Sequence, residues 1–208
     1  MEAGQVTDLL GRLGNAGVRA WLDGGWGVDA LLEVQTRRHS DLDLVVLRLE
    51  LDAVRQVLDA LGFRVVRDWL PNAIAFRTAE GREVDLHPVD PTPDGGGDQI
   101  QLDGRGSWHY SAPVPGTVAG VAVLCCPVQD QLLCHLGYEP RPTDFQDMRR
   151  LAERFGIELP EPYRTNTGSR AGGASGAGNL GQQGSGAPQV VDEAAVQVIP
   201  GVAGTQHR

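Results

Sequence analysis

Residues Trp21–Leu32 read WLDGGWGVDALL, and shortly after them Thr36–Val46 read TRRHSDLDLVV. A short apolar stretch runs into two adjacent glycines, Gly24 and Gly25, then into a helix-like pattern, and the answering segment carries two aspartates one residue apart. Two structures suit that order: a turn followed by a solvated acidic strand, or a site that holds a nucleotide with its metals. Lacking Cβ atoms, a glycine pair permits a sharp strand-to-helix turn and lets backbone N–H groups approach a phosphate at the positive end of the helix dipole. Along a strand alternate side chains share a face, so Asp41 and Asp43 should project together while Leu42 and Leu44 enter the core. Left alone the two carboxylates repel, and a hard cation such as Mg²⁺ turns the repulsion into coordination.

A third acid comes later. In REVDLHPV the same alternation puts Glu83, Asp85 and His87 on one face, with Val84 and Leu86 turned inward. If that strand pairs beside DLDLVV, Asp85 joins Asp41 and Asp43, and three carboxylates can bracket two Mg²⁺ ions about 3.5–4 Å apart, the arrangement used for phosphoryl and nucleotidyl transfer. A Gly-Gly or an Asp-x-Asp alone is more often a turn or a solvated strand end. The ordered set of strand, Gly-Gly, helix, Asp-x-Asp strand and a lone strand Asp is far more specific.

The surrounding pattern is α+β: a small mixed sheet flanked by helices. VTDLLGRLGNAGV, GWGVDALLEV, ELDAVRQVLDALGF, PVQDQLLCHLGY and TDFQDMRRLAERFG read as helices, and RAWLD, DLDLVVL, FRVVRDW, NAIAFRTA and REVDLHPV as strands. Residues 90–116, dense in Pro, Gly and Asp, read as a long surface loop. Residues 1–163 form the expected domain, and 164–208, rich in Gly, Ser, Ala and Gln with few large apolar groups, the expected flexible tail.

With 41% hydrophobic residues, 208 residues can bury one ordinary core. No apolar run reaches the roughly 20 residues of a bilayer span, and the N-terminus lacks a basic secretory start, so a cytoplasmic protein without a membrane partner is expected. Cys125, Cys126 and Cys134 are an odd set without a C-x-x-C spacing and read as buried thiols. A formal charge of −9 disfavours nucleic acid as a partner and suits cations. All 18 basic residues are arginines, so a charged side chain on a phosphate must be an arginine or a histidine.

DGGWGVDALL, TRRHSDLDLVV and EVDLHPV together resemble the small antibiotic nucleotidyltransferases of the polymerase-β-like superfamily, in particular the aminoglycoside 2″-adenylyltransferase and lincosamide nucleotidyltransferase group. The likeness covers most of residues 6–155 and includes VVRDWLPNAI and QLLCHLGYEPRPTDFQDMRRL. It implies Mg²⁺-dependent transfer of a nucleoside monophosphate, AMP from ATP or another NTP, to a hydroxyl of a small, cationic antibiotic, with release of pyrophosphate. Carried over, Asp41 and Asp43 bind metal, Asp85 completes the site and serves as base, and Gly24-Gly25 hold nucleotide phosphates. Many superfamily members have Ser after the glycine pair. Trp26 stands there in this chain, as is familiar in the drug-modifying group.

Other residues carry two readings each. Arg37 and Arg38 either neutralise the triphosphate or form surface ion pairs. His39 and His87 are expected to satisfy local hydrogen bonds rather than serve the site. Trp108 and Tyr110 are candidates for the substrate edge, and Trp69 for either edge or core. Asp144 and Asp147 suit the start of the last helix, which Thr143 could cap. Two rival functions stay open: a nucleotide-binding module that modifies nothing, and a toxin-type nucleotidyltransferase acting on a protein or RNA hydroxyl.

Overall fold

The computed structural model describes residues 1–136 and 138–164. The expected tail, apart from Arg164, lies outside the described residues. In chain order the elements are α1 (Ala3–Asn15), β1 (Ala20–Asp23), α2 (Gly24–Leu32), β2 (Asp43–Leu47), α3 (Leu51–Ala60), β3 (Arg64–Trp69), β4 (Ala73–Arg77), β5 (Glu83–Pro91), β6 (Gly97–Ile100), β7 (Ser107–Tyr110), β8 (Val114–Val118), β9 (Val121–Cys125), α4 (Val128–Cys134) and α5 (Pro142–Phe155). Among the described residues no helix is long and apolar enough to cross a membrane.

The main sheet has the order β3-β4-β5-β2-β1-β9-β8. It is mixed: β2 runs parallel to β5 and β1 parallel to β9, while the other neighbours are antiparallel. Strand alternation sorts the two faces. Leu22, Leu44, Val46, Ile74, Phe76, Val84 and Leu86 point to the helices and form the principal core with Val6, Leu9 and Leu13 of α1, Val54 and Leu58 of α3, and Met148 and Leu151 of α5. These helical residues recur every three or four positions, which lays one apolar stripe on the sheet.

The opposite face carries a second, smaller core of Trp21, Val45, Val89, Tyr110 and Cys126. It is covered by a ribbon, and here the expected loop over 90–116 is wrong. β5 continues to Pro91, its far end pairs with β6, and β6 pairs with β7. Gly96 and Gly97 misled the reading because they serve close packing, not chain freedom. A Cβ on Gly96 would overlap the Tyr110 carbonyl, and one on Gly97 would meet the Val89 side chain.

One row of residues crosses five strands on the ribbon side of the sheet. Registers pair Arg67 with Ala75, Ala75 with Asp85, Asp85 with Asp43, and Asp43 with Asp23. Ala75 is fully buried, and its single methyl leaves room for Arg67 to reach past it to Asp85, 2.7 Å away. Ala75→Leu should overfill that gap, lowering stability by about 1–3 kcal/mol in urea unfolding and separating Arg67 from Asp85. Conversely, Arg67→Met should disturb Asp85 without overpacking.

Candidate active site

The row places three carboxylates on three adjacent strands: Asp23 at the end of β1, Asp43 at the start of β2 and Asp85 near the start of β5. Neighbouring strands run about 4.8 Å apart, a spacing at which two unit charges repel by about 3 kcal/mol in a medium of effective dielectric near 20. Each acid has its own local partner. Arg67 donates to Asp85 Oδ1, Tyr110 donates its hydroxyl to Asp23 Oδ2 at 3.3 Å, and His87 Nε2 lies 3.6 Å from Asp43 Oδ1. Two oxygens in this row, Asp23 Oδ1 and Asp85 Oδ2, are buried and accept no hydrogen bond from the described residues.

Asp43 bears the consequence. Burial first, then the charges of Asp41 and Asp85, push its carboxyl up to about 6 against the opposing pull of His87. His87 is itself buried, which lowers its affinity for a proton, but the hydrogen bond and charge of Asp43, with Asp23 and Asp85 behind it, raise it above the ordinary histidine value. Gln99 fixes its other side, with Nε2 of the amide 3.2 Å from His87 Nδ1. That contact favours a proton on Nε2, the nitrogen facing Asp43.

The glycine pair opens α2 directly, so Gly24 and Gly25 are the first residues of a helix rather than a preceding loop. Gly24 has φ +55°, and a Cβ there would overlap the Asp43 carboxylate; a Cβ on Gly25 would overlap the His39 ring and the Arg37 guanidinium. Only glycine allows the positive end of α2 to sit against the acidic row. Helix start, acids and arginines share a cavity of about 520 Å³, lined by Gly24, Gly25, Arg37, Arg38, Asp41 and Asp43, with Asp23, His87 and Tyr110 on the sheet side. Cys134, Tyr138 and Arg141 also line it.

The structure gathers most of the expected site. Asp41 lies just before β2 rather than within it, beside Ser40, whose hydroxyl donates to its Oδ1, and it stays close enough to Asp43 to raise that carboxyl. Asp85 sits off the cavity wall, one strand beyond Asp43. Arg37 lines the cavity yet is held by Asp147 of α5 at 2.8 Å, so its ion pair is with a distant helix and not with Asp41. Arg38 is exposed on the same cavity wall.

His39 meets the local expectation. It is buried, contacts the Asp29 carboxylate and stacks near Trp26. Tyr110 and Trp108 belong to β7, with Tyr110 fully buried and Trp108 half-buried, while Trp69 is exposed under Arg67. Cys125 and Cys126 are buried, but Cys134 is only half-buried on the cavity wall. α5 is capped by a reciprocal Arg141–Asp144 pair and starts at Pro142, which leaves Thr143 inside the helix rather than at its cap. Sequence reasoning missed Asp23 and Arg67. The aspartate directly before Gly-Gly at a strand end was the available sign for the first. Arg67 had none, because its role depends on strand pairing.

For a divalent cation the donor chemistry fits: Asp41 and Asp43 share the cavity wall, and the orphaned Asp85 Oδ2 lies in the row with Asp43. Among the described residues no group of three or more His, Cys, Asp or Glu side chains is placed, as it stands, to hold a metal ion.

Residues 5–151 match the family model of aminoglycoside-2''-adenylyltransferase, and the chain belongs to that family. It is 30% identical over 139 residues to a lincosamide resistance protein of Staphylococcus haemolyticus, covering 64% of this chain and 84% of that protein. A 2''-aminoglycoside nucleotidyltransferase of Escherichia coli is 31% identical over 71 residues, covering 33% of this chain and 40% of that one. Among solved structures, the lincosamide antibiotic adenylyltransferase LnuA with lincomycin bound aligns with TM-score 0.64 at 29% identity, over 71% of this chain and 94% of that one. The fold is shared with ANT(2'')-Ia, at TM-score 0.59 and 20% identity over 79% and 91% of the two chains.

Because Asp43 titrates higher in the folded chain than in the unfolded one, the fold binds the additional proton and loses stability as pH rises from about 4 to about 6. In chelator-treated protein at pH 7, Asp43→Asn should therefore raise stability, by on the order of 1–3 kcal/mol, and flatten the pH dependence of Tm across that window. An unchanged profile would contradict the crowding of charge described for this row.

Proposed function

We propose that the chain transfers AMP from ATP, or the corresponding nucleotide from another NTP, to a hydroxyl of a small cationic antibiotic of lincosamide or aminoglycoside type, releasing pyrophosphate. The observation that carries this reading is the position of Asp43, in register between Asp23 and Asp85 and directly beneath the glycine start of α2. Membership of the family supports the reaction, and the relatives' lincosamide and aminoglycoside substrates support the acceptor class.

In this reading the backbone N–H groups at Gly24 and Gly25 and the exposed Arg38 receive the phosphates, while Arg37 borders them from its pair with Asp147. Asp41 and Asp43 would hold Mg²⁺, with Asp85 completing the set. Bound Mg²⁺ would offset the negative charge of the triphosphate. The acceptor hydroxyl oxygen forms a bond to the α-phosphorus as the bond from that phosphorus to the β-phosphate oxygen breaks. Its proton passes to Asp85, whose Oδ2 is without a donor while Arg67 fixes Oδ1.

Incubation of the full chain with ATP, Mg²⁺ and either lincomycin or tobramycin should add one adenylyl group to at least one drug, read by mass spectrometry. No mass gain on any antibiotic of the two types, in a protein that binds ATP, would leave a non-catalytic module or a macromolecular acceptor. The acids should also separate. Asp85→Asn should lower kcat by about 10²–10⁴-fold with ATP affinity nearly intact and partial recovery at higher pH, whereas Asp41→Asn and Asp43→Asn should weaken Mg²⁺-dependent ATP binding as well. A parallel loss of nucleotide affinity in Asp85→Asn would make that residue a metal ligand only.

A further inference from the structure

The scheme above gives Asp23 no task. It directly precedes α2, where an aspartate ordinarily caps the helix by accepting a bond from a first-turn N–H. Its backbone is extended as a cap requires, at φ −120° and ψ −177°, yet its side chain makes no capping bond. The carboxylate turns instead to the ribbon side, where Tyr110 donates to Oδ2. Oδ1 is buried and receives no hydrogen bond from the described residues, and the residue, 5% exposed, lines the cavity.

A buried carboxylate oxygen without a donor forfeits its hydration and gains nothing in return, so it calls for a partner from outside the chain. A phosphate is the wrong partner, because it brings a second negative charge. An O–H or N–H donor is the right one, and in adenylyl transfer the molecule rich in such donors is the acceptor. Position agrees: Asp23 joins the start of α2, where the nucleotide phosphates would sit, to Tyr110 of the ribbon wall.

We propose that Asp23 is an acceptor-binding residue, receiving at Oδ1 a hydrogen bond from a hydroxyl or ammonium group of the acceptor while Tyr110 orients the carboxylate. The inference rests on the acceptor reading given above. It assigns Asp23 to recognition of the acceptor and separates it from Asp41 and Asp43, which answer to the nucleotide and its cation.

The test is calorimetric binding to the full chain of lincomycin, tobramycin and Mg²⁺-ATP separately, for wild type, Asp23→Ala, Asp23→Asn and Tyr110→Phe. For whichever drug the wild type binds, Asp23→Ala should weaken affinity on the order of 10- to 100-fold and leave ATP affinity unchanged. Asp23→Asn distinguishes the two donors. It keeps an oxygen that accepts from a hydroxyl, so a loss of only several-fold assigns the hydroxyl, and a loss as large as that of alanine assigns the ammonium. Tyr110→Phe should weaken the drug several-fold by freeing the carboxylate to turn, which keeps the proposal testable if Asp23→Ala does not fold. Drug affinity unchanged in folded Asp23→Asn and Tyr110→Phe overturns the proposal, as does ATP affinity falling in step with Asp43→Asn. If the wild type binds ATP but no drug of either type, the acceptor reading itself fails and the inference falls with it.

Discussion

Everything in the site depends on placing like charges side by side in a sheet. Asp23, Asp43 and Asp85 occupy one register across β1, β2 and β5, and nothing in strand geometry relieves their repulsion. Relief comes from around the row. Arg67 crosses over Ala75 to reach Asp85, His87 stands beside Asp43, Tyr110 bonds Asp23, and the positive end of α2 is brought onto the Asp43 carboxylate by a residue without a side chain. These partners leave the acids incompletely matched. An incompletely matched acidic row is stable enough to fold and still hungry for positive charge and for donors, which is the condition a binding site needs.

Part of this was legible in the sequence, and the legible part is the local part. The two-residue period of a strand gave the inward Leu44 and Leu86 and the shared face of Asp43, Asp85 and His87, and the helical spacing of Val6, Leu9 and Leu13 marked α1. Gly-Gly followed by a helix pattern marked α2, one residue later than it begins. What escaped depends on pairing between distant segments. No spacing rule links Arg67 to Asp85 or Asp23 to Asp43, because those meetings are fixed by strand order. The ribbon of β6 and β7 was hidden for a related reason: Gly96 and Gly97 look like loop residues until a second strand is known to press against them. Arg37 likewise showed a charge but not its partner, which lies in α5.

The two faces of the sheet divide the labour. The helical side holds the large apolar core and carries most of the burial, so it sets stability. The ribbon side holds a core of five buried residues, and the acids occupy its open end. Substitutions that help binding or chemistry are therefore expected on the second face, and the acidic row there works against stability in the absence of cations, a common relation between a functional site and its scaffold.

β5 belongs to both structures at once. Its first residues run between β2 and β4 and carry Asp85, and its last residues turn into the ribbon through their pairing with β6. A single unbroken strand thus links the acidic row to the ribbon, and the two are expected to open and close as one cooperative unit in local unfolding. Amide exchange in the middle of β5 would then be slow and shared, while the turn joining β6 to β7, from Gln101 to Gly106, could exchange, lengthen or change sequence independently of the acids. Diversification of the wall among relatives is accordingly least constrained at that turn, where a change of shape leaves the acidic row untouched.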